Sequence, residues 1–417
     1  MVLRNAVLFL LLCAVLPVQA ALEIEITGAG EHQIPITIVP FAGEEGLTQK
    51  ISEVIGNDLK RSGMFRIVEP AGKSPHELRD VNYADWADVD GLTIGSAQKL
   101  PDGSVEVKFR LLDTHKQSVL LAYNVPSKSE RAIAHRIADM IYEKFTGDAG
   151  VFSTRIAYIN RHNKIYNLMV ADSDGYGEQP ILTLKESIIS PAWSPDGSHL
   201  AYVTFEQGRA VTYVQSLVTR QRFALAAFQG SNSAPAWAPD GKQLAIVLTR
   251  DGTSSIYLVR PDGTGLRRIT YSDAIDTEPH FSPDGRFLLF ASDRGGSVQI
   301  YRMPVDGGYA ERMTFEGNNN FSPRYSPDGN SFVFMHSTGG QFYIATQDFL
   351  TKQIQVLTDV GWEKKPSFAP NGKIVLFATE SLGRGILATV SSDGRVKQKM
   401  TPQQGDIREP MWGPFLK

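Results

Sequence analysis

Short apolar runs bounded by polar turn residues fill the chain after about residue 150. Each run is four to seven residues long and rich in β-branched and aromatic residues, as at residues 200–205 and 211–217. Such runs predict β-strands. Matching pairs recur at residues 244–248 and 256–259, 287–291 and 299–304, 332–336 and 342–346, and 374–379 and 386–390. The pattern therefore predicts an all-β region made of repeated strand pairs.

A short phrase that starts with proline precedes each strand pair. Its copies are Pro191-Ala-Trp-Ser-Pro-Asp-Gly197, Pro235-Ala-Trp-Ala-Pro-Asp-Gly241, Pro279-His-Phe-Ser-Pro-Asp-Gly285, Pro323-Arg-Tyr-Ser-Pro-Asp-Gly329, Pro366-Ser-Phe-Ala-Pro-Asn-Gly372 and the truncated Pro410-Met-Trp-Gly-Pro414. Their first prolines lie 44, 44, 44, 43 and 44 residues apart. Proline followed by Asp or Asn and Gly favours a tight turn. A regular period of this length is typical of the blades of a β-propeller.

The two ends of the repeat region complement each other. Residues 155–159 align with the second strand of a later unit, at residues 200–203, and no inner strand precedes them. Residues 410–412 supply an inner strand with no unit after it. Joining the two predicts a composite first blade, a total of six blades and a closed ring, which leaves no exposed ends.

The region before the repeats has mixed periodicity. Apolar positions spaced three or four residues apart predict helices over residues 48–62 and 129–145. Strand patterns occupy residues 34–41, 65–68, 91–95, 105–112 and 119–125. We expect an α/β domain over residues 34–148, a Gly-rich linker at 147–150 and the propeller over 151–417, so the fold class is multidomain.

The first twenty residues are typical of a secretory signal peptide. Arg4 precedes an apolar stretch at residues 6–15, and small residues lead to a predicted cleavage after Ala20. The stretch is too short to span a bilayer, which disfavours a membrane anchor. A lipoprotein site at Cys13 is disfavoured because Leu12 is too large for that processing. Cys13 is the single cysteine of the chain, and a secreted protein without cysteine suits a bacterial periplasm.

Residues 21–33 form a separate arm. Leu22, Glu23, Ile24, Glu25 and Ile26 alternate apolar and acidic side chains, and glycines follow. One interpretation is an ordinary edge strand. The other is a detachable strand that pairs either within the chain or with the sheet edge of a partner.

Charge and motifs exclude several functions. The chain has 42 basic and 45 acidic residues and no basic block, which argues against nucleic acid as a partner. It contains no Gly-x-Ser-x-Gly, His-Glu-x-x-His or Cys-x-x-Cys motif, so we predict neither an enzyme nor a cofactor. Residues 172–175 resemble the start of a calcium loop. Glycine recurs at the same place in later blades, however, which favours an ordinary turn there.

The loops that precede the phrases differ from blade to blade, whereas the turns that end the phrases are constant. These variable loops are residues 185–190, 229–234, 272–278, 316–322, 360–365 and 403–409. Variation confined to one mouth of a propeller indicates a single recognition surface. Candidate contacts there are the polar and charged residues Asn232, Ser233, Thr277, Glu278, Asn320 and Lys364.

A signal peptide, a small α/β domain and six repeats of the Pro-x-aromatic-Ser-Pro-Asp-Gly type together resemble the TolB family, over the whole mature chain. The phrase alone is less specific, because propellers of prolyl-oligopeptidase-type peptidases also use it. The resemblance implies a non-enzymatic periplasmic scaffold of the Tol–Pal system, which is peripheral to the outer membrane through the lipoprotein Pal. Pal would bind the propeller and TolA the arm. Such proteins support outer-membrane integrity and constriction at division, and some colicins exploit them for entry.

The resemblance also selects residues. It implies Pal contacts at Ser231, Ala234, Thr277 and Glu278, although the family pattern has histidine in place of Ser231. We expect a monomer in which Glu278→Lys weakens Pal binding without lowering thermal stability. A calcium ion at the channel mouth stays open, without a defined ligand set. The alternatives are the propeller of a periplasmic peptidase-like enzyme and a propeller that binds a small ligand.

Overall fold

A computed structural model describes residues 24–27, 33–400 and 404–416 of the chain. The predicted signal peptide with Ala20, and also Leu22 and Glu23, lie outside these residues. The described chain has a short first strand, β1 (Ile24–Thr27), then an N-terminal α/β region and a six-bladed β-propeller. This architecture confirms the predicted fold class. None of the described helices is both long enough and apolar enough to span a bilayer.

The α/β region is a five-stranded sheet with two helices packed on one face. Its elements are β2 (Ile34–Ile38), α1 (Ile51–Arg61), β3 (Phe65–Ile67), β4 (Gly91–Lys99), β5 (Val105–Asp113), β6 (Ser118–Ser127) and α2 (Glu130–Thr146), with short 3₁₀ helices at Glu44–Gly46, Leu78–Asp80 and Tyr83–Trp86. The spatial strand order is β3-β2-β4-β5-β6. The strand β2 pairs in parallel with its two neighbours, and the other pairs are antiparallel.

The helices form where their apolar stripes predict them. In α2, Ile133, Ile137 and Ile141 are fully buried against the sheet. Ser129 caps its start, since the hydroxyl oxygen accepts a hydrogen bond of 3.2 Å from the Ala132 amide. Gly147 ends it with φ of 78°, a left-handed conformation that glycine adopts without strain.

The propeller strands follow in chain order. They are β7 (Arg155–His162), β8 (Ile165–Asp172), β9 (Gln179–Leu184), β10 (Ile188–Trp193), β11 (His199–Thr204), β12 (Val211–Ser216), β13 (Arg222–Ala226), β14 (Asn232–Trp237), β15 (Leu244–Leu248), β16 (Ser255–Val259), β17 (Arg267–Arg268), β18 (Asp276–Phe281), β19 (Phe287–Ser292), β20 (Gln299–Pro304), β21 (Glu311–Arg312), β22 (Asn319–Tyr325), β23 (Ser331–Thr338), β24 (Gln341–Asp348), β25 (Ile354–Val356), β26 (Lys364–Phe368), β27 (Ile374–Ser381), β28 (Arg384–Ser391), β29 (Lys397–Met400) and β30 (Asp406–Trp412). From the channel outward, blade one is β30, β7, β8 and β9. Blades two to six are β10–β13, β14–β17, β18–β21, β22–β25 and β26–β29.

The ring closes as predicted, by pairing the last strand with the first. Trp412 lies opposite Ile156, and Arg408 lies opposite Ile159, in the antiparallel pair of β30 and β7. An apolar cluster fills the gap between every two neighbouring blades, including the gap between blades six and one. Large side chains such as Tyr158 and Tyr202 are fully buried in these clusters. Burial of each such side chain contributes about 1.5–3 kcal/mol to folding.

The α/β region packs on the propeller face that carries the constant turns. The Asn371 side-chain amide donates to the Ala149 carbonyl at 2.9 Å. The Lys373 ammonium lies 3.0 Å from the Asp148 carboxylate. The variable loops therefore open on the opposite face, which the α/β region leaves uncovered.

A charged network fixes this junction between the two parts, and we call it the junction network. His135 Nδ1 lies 2.6 Å from Asp58 Oδ2 inside the α/β region. The Arg131 guanidinium reaches across to Asp172 and Asp174 of blade one. Burial opposes the charge on His135, but the facing carboxylates, Asp58 first, raise its pKa to about 9. The imidazole is therefore a cation in the folded protein at neutral pH.

The arm pairs within the chain in this structure. The strand β1 adds antiparallel to β29, as the outermost strand of blade six. The register sets Glu25 opposite Lys399. Detachment of the arm stays a prediction.

The junction network makes stability depend on pH. The folded pKa of His135 lies above its unfolded value of 6.5. The stabilisation of the fold by the protonated imidazole is therefore complete below pH 6.5. It is lost as pH rises through about 9. We expect a loss of up to about 3 kcal/mol for a shift of this size. Thermal unfolding between pH 6 and about 9.5 measures it. The control His135→Gln, which does not titrate, should show a flatter profile, and parallel profiles would contradict this assignment.

Candidate functional site

Each innermost strand bulges directly before its phrase proline. The pairing with the second strand shifts register there in all six blades. The residue at this position has φ between 47° and 55°, which is uncommon for any residue other than glycine. A bulge of this kind re-aims a side chain. We call these six residues the channel ring; they are Ser190, Ala234, Glu278, Ser322, Lys365 and Glu409.

Two members of the channel ring form an ion pair across the channel. The Lys365 ammonium contacts Glu278 Oε1, and the two side chains are 27% and 16% exposed. Ser322 donates to the same carboxylate from its amide at 2.7 Å and from its hydroxyl at 2.8 Å. Burial disfavours the carboxylate charge, but Lys365 and these hydrogen bonds lower the pKa of Glu278 to about 2. Glu278 is therefore ionised and held rigidly.

Further charges surround this pair. Arg324 and Glu409 line the same small cavity, whose volume is about 30 Å³. The Arg324 Nε–H is buried and has no hydrogen-bond partner among the described residues. His280 lies nearby, and burial together with the Arg324 charge lowers its pKa to about 3. Two carboxylates therefore face two cations, and the space left suits about two water molecules rather than a small ligand.

The position two residues before the channel ring anchors each loop. Its occupants in the six blades are at most 1% exposed; they are Ile188, Asn232, Asp276, Asn320, Glu363 and Ile407. The Asn232 amide donates to the Ala210 and Phe228 carbonyls, which closes its own loop. Asn232 and Asn320 are therefore buried at the base of their loops, and their contact with a partner stays a prediction. Their amides are consumed by internal hydrogen bonds, and they position the loops.

The remaining predicted contacts lie on the open side of the mouth. Lys364 is exposed, whereas Thr277, Ser231, Ser233 and Ala234 are partly buried. The structure thus brings Thr277 and Glu278 together on one strand. It also separates the neighbouring lysines, because Lys364 faces solvent and Lys365 enters the channel. Sequence analysis missed Lys365. Its position directly before the first proline of the phrase, which recurs in every blade, was the available signal.

An apolar rim was also missed. The loops on this face expose large apolar side chains, with exposed fractions of 78% for Tyr271, 72% for Phe315 and 52% for Trp362. Ile275 and Val360 are 52% and 51% exposed. Exposed apolar groups around a polar centre mark protein-binding surfaces. Aromatic residues inside otherwise polar loops were the available signal.

A second charged group lies at the junction and is of a different kind. His135, Asp172 and Asp174 have the residue types and proximity of a metal site in the described chain. The Arg131 guanidinium contacts both of these carboxylates, however. Arg131 supplies the positive charge that a metal ion would bring. The cluster of His135, Asp172 and Asp174 is therefore part of an ion-pair network.

These features define the class: a six-bladed β-propeller protein with an α/β domain before the propeller. Two family models match, the "TolB amino-terminal domain" over residues 22–120 and the "TolB beta propeller domain" over residues 142–416. The chain belongs to the TolB family of Tol–Pal system proteins.

Individual relatives are similar over almost their whole length. The chain is 63% identical over 405 residues to the Tol-Pal system protein TolB of Methylobacillus flagellatus, covering 95% of this chain and 94% of that protein. It is 60% identical over 403 residues to that of Nitrosomonas europaea, covering 96% and 95%. The crystal structure of TolB from Acinetobacter baumannii superposes with a TM-score of 0.88 at 36% identity, covering 95% of this chain and all of that one.

The sequence led us to expect that Glu278→Lys leaves stability unchanged, whereas the ion pair with Lys365 now predicts a loss of stability. The substitution places a third cation beside Lys365 and Arg324. We expect a loss of about 3 kcal/mol, measured by urea unfolding. The charge swap Glu278→Lys with Lys365→Glu should recover part of it, and the exposed Lys364→Glu should cost little. Equal stability of Glu278→Lys and the wild type would contradict the structural role.

Proposed function

We propose that this protein is a periplasmic scaffold that binds the lipoprotein Pal through the propeller mouth and TolA through the arm. In this role it supports outer-membrane integrity and constriction at division, and some colicins exploit it for entry. We assign residues 34–148 to the domain that carries the arm and residues 151–417 to the propeller. The observation that carries the proposal is the mouth, with its apolar rim around a fixed charged centre.

The composition of the mouth supports binding of a protein. Exposed aromatic residues from three neighbouring loops flank a partly buried polar centre, as in interfaces whose affinity resides in a few aromatic anchors. The central cavity of about 30 Å³ is too small for a metabolite, which disfavours a propeller that binds a small ligand. The α/β region occupies the other face, so one open face is left for a partner.

The position of the arm supports exchange between partners. The strand β1 is held by four backbone register pairs at the edge of blade six. Strand addition at an edge is a common mode of peptide recognition, and the same strand is able to pair elsewhere once released. TolA would then bind residues of the released arm, for which we propose Leu22, Glu23, Ile24, Glu25 and Ile26.

A single sheet joins the arm to the mouth. The order β1-β29-β28-β27-β26 runs from the arm to the innermost strand of blade six. That strand carries Lys364 and Lys365, and Lys365 is paired with Glu278. A partner at the mouth that shifts this strand would change the edge to which β1 pairs. We propose a reciprocal coupling of about 1–3 kcal/mol between the two sites.

Substitutions at the open side of the mouth should weaken Pal binding without unfolding the propeller. Phe315→Glu and Thr277→Arg place charge or bulk on the open side of the mouth, where Phe315 is 72% exposed and stacks beneath the Arg312 guanidinium. We expect at least about tenfold weaker binding, which corresponds to about 1.4 kcal/mol. Isothermal titration with the soluble domain of Pal from the same organism measures it. Val218→Glu, which alters an exposed residue on the opposite face, is the matched control. Unchanged affinity in both mouth variants would exclude this surface.

Removal of the arm should affect the binding of TolA and not that of Pal. Deletion of residues 21–33 should abolish TolA binding and leave Pal binding intact or stronger. The companion variant Lys399→Glu keeps the arm but sets like charges opposite Glu25, which weakens the β1–β29 pair. It should release the arm and strengthen TolA binding. Pull-down with purified TolA measures both, and TolA binding that survives the deletion would remove the arm from the proposal.

A further inference from the structure

A cleft opens between blades two and three, on the propeller face that carries the constant turns. Its volume is about 500 Å³, which lies in the range of ligand-binding pockets. Turn residues of both blades form its rim, where Asp196, Pro239 and Asp240 are exposed. The contacts of the α/β region described above are with blades one and six. The cleft is therefore open to a partner and separate from the mouth and the arm.

Blade three departs from the repeat beside this cleft. In the other five blades a backbone N–H at the end of the third strand donates to the carbonyl directly before the second strand, over 2.9–3.1 Å. The five donors are Ser173, Leu217, Val305, Phe349 and Ser392. The register of β15 and β16 places Pro261 at the same position in blade three. Proline has no N–H to donate, so this hydrogen bond cannot form beside the cleft.

In the two blades that follow, the side chain at this position packs between blades. Val305 is buried in the cluster between blades three and four. The Phe349 ring stacks on Tyr325 between blades four and five, with centroids 5.3 Å apart. Pro261 lines the cleft instead. The cleft therefore lies where blade three lacks both the hydrogen bond and the packing of its neighbours.

The aromatic residue of the blade-three phrase, Trp237, forms one wall of the cleft. At the same position of blade two, the Trp193 indole N–H donates to the Met411 carbonyl at 3.3 Å. In blade one the Trp412 indole N–H donates to the Thr154 hydroxyl at 2.8 Å. The Trp237 Nε1–H is buried and has no acceptor among the described residues. Such donors are uncommon in native proteins, and a ligand carbonyl in the cleft would supply the acceptor once the ring shifts.

The charges of the cleft are of one sign. Its lining has two carboxylates, Asp196 and Asp240, and no Lys or Arg among the described residues. Burial disfavours the charge of Asp196, but hydrogen bonds from Ser194 and Ser198 lower the pKa of its carboxyl to about 2. Phe223, 44% exposed, adds a second aromatic ring to the lining. Aromatic faces beside carboxylates favour a cation that carries an apolar stem.

We propose that this cleft binds a primary alkylammonium group with an apolar stem, in the form of a lysine side chain of a partner protein. The methylenes of that side chain pack between Trp237, Phe223 and Pro261. The ammonium pairs with Asp196 and Asp240 at the rim. The main-chain carbonyl of the lysine accepts the Trp237 indole N–H.

Nuclear magnetic resonance of the isotopically labelled mature protein tests the proposal. The probe is lysine with an acetylated α-amino group and a methylamide end, and the control is the same molecule with its side-chain amine acetylated and uncharged. The Trp237 indole N–H resonance, assigned by its loss in Trp237→Phe, should shift saturably with the probe. The uncharged control should bind at least about tenfold more weakly. Ethanolamine, which keeps the ammonium but has a short stem, should also bind more weakly.

Protein variants complete the test. Asp196→Asn with Asp240→Asn should weaken the probe about tenfold. Asp284→Asn alters the same turn position of blade four, with the same hydrogen bond from a serine hydroxyl, and should leave binding unchanged. Pro261→Val gives blade three the residue that blade four has as Val305, so it should weaken the probe about tenfold without lowering the melting temperature.

Four outcomes would overturn the proposal. They are the absence of a saturable shift, equal binding of the uncharged control, an equal loss of affinity in Asp284→Asn, and ethanolamine that binds as tightly as the lysine probe. The last outcome would assign the cleft to a small amine and not to a lysine side chain.

Discussion

The pairing of β30 with β7 ties the end of the chain to the start of the propeller, and the geometry of the mouth depends on it. Blade one has three strands from one end of the propeller and one from the other. Without β30 the first blade would lack its channel strand and the ring would keep two open edges. The apolar cluster between blades six and one, which includes Trp412, would lose one of its walls. The channel ring can be a ring only because this pairing holds.

Closure also explains why six residues tolerate a strained backbone. A positive φ in a residue other than glycine costs on the order of 1–3 kcal/mol and persists where the surroundings enforce it. Here the bulge precedes a proline in every blade, and the loop anchor two residues earlier is buried. The anchor is apolar in blades one and two and polar in the other four, so each polar anchor needs its own hydrogen bonds. This repeated backbone conformation fixes the direction of the six side chains, whereas the residue type differs between blades. A regular propeller can therefore carry a mouth with its own pattern of charges.

Most of the fold could be predicted from the sequence because its signals are local and repeated. The phrase period gave the blade count, and the missing first inner strand gave the closure. The helices α1 and α2 followed from apolar stripes whose residues are in fact buried. The candidate site was predicted only in part. The sequence located the variable loops, but residue type alone did not separate Asn320, whose amide is used internally, from Thr277. Nor did it separate Lys364 from Lys365, since only the bulge decides which lysine enters the channel.

The two faces of the propeller differ in what their loops contact. The loops of one face pack against the α/β region, and those of the other face are open. On one face the constant turns are short, and the α/β region is held there by the junction network and by the Asn371–Ala149 hydrogen bond. A partner there would have to displace buried ion pairs, and breaking such pairs is costly. On the other face the buried anchors hold the base of each loop. A partner at that face therefore meets a rigid charged centre and an adaptable apolar rim. Blade six contributes both Lys365 and the strand edge that holds the arm, so the proposed coupling between mouth and arm would run through this blade.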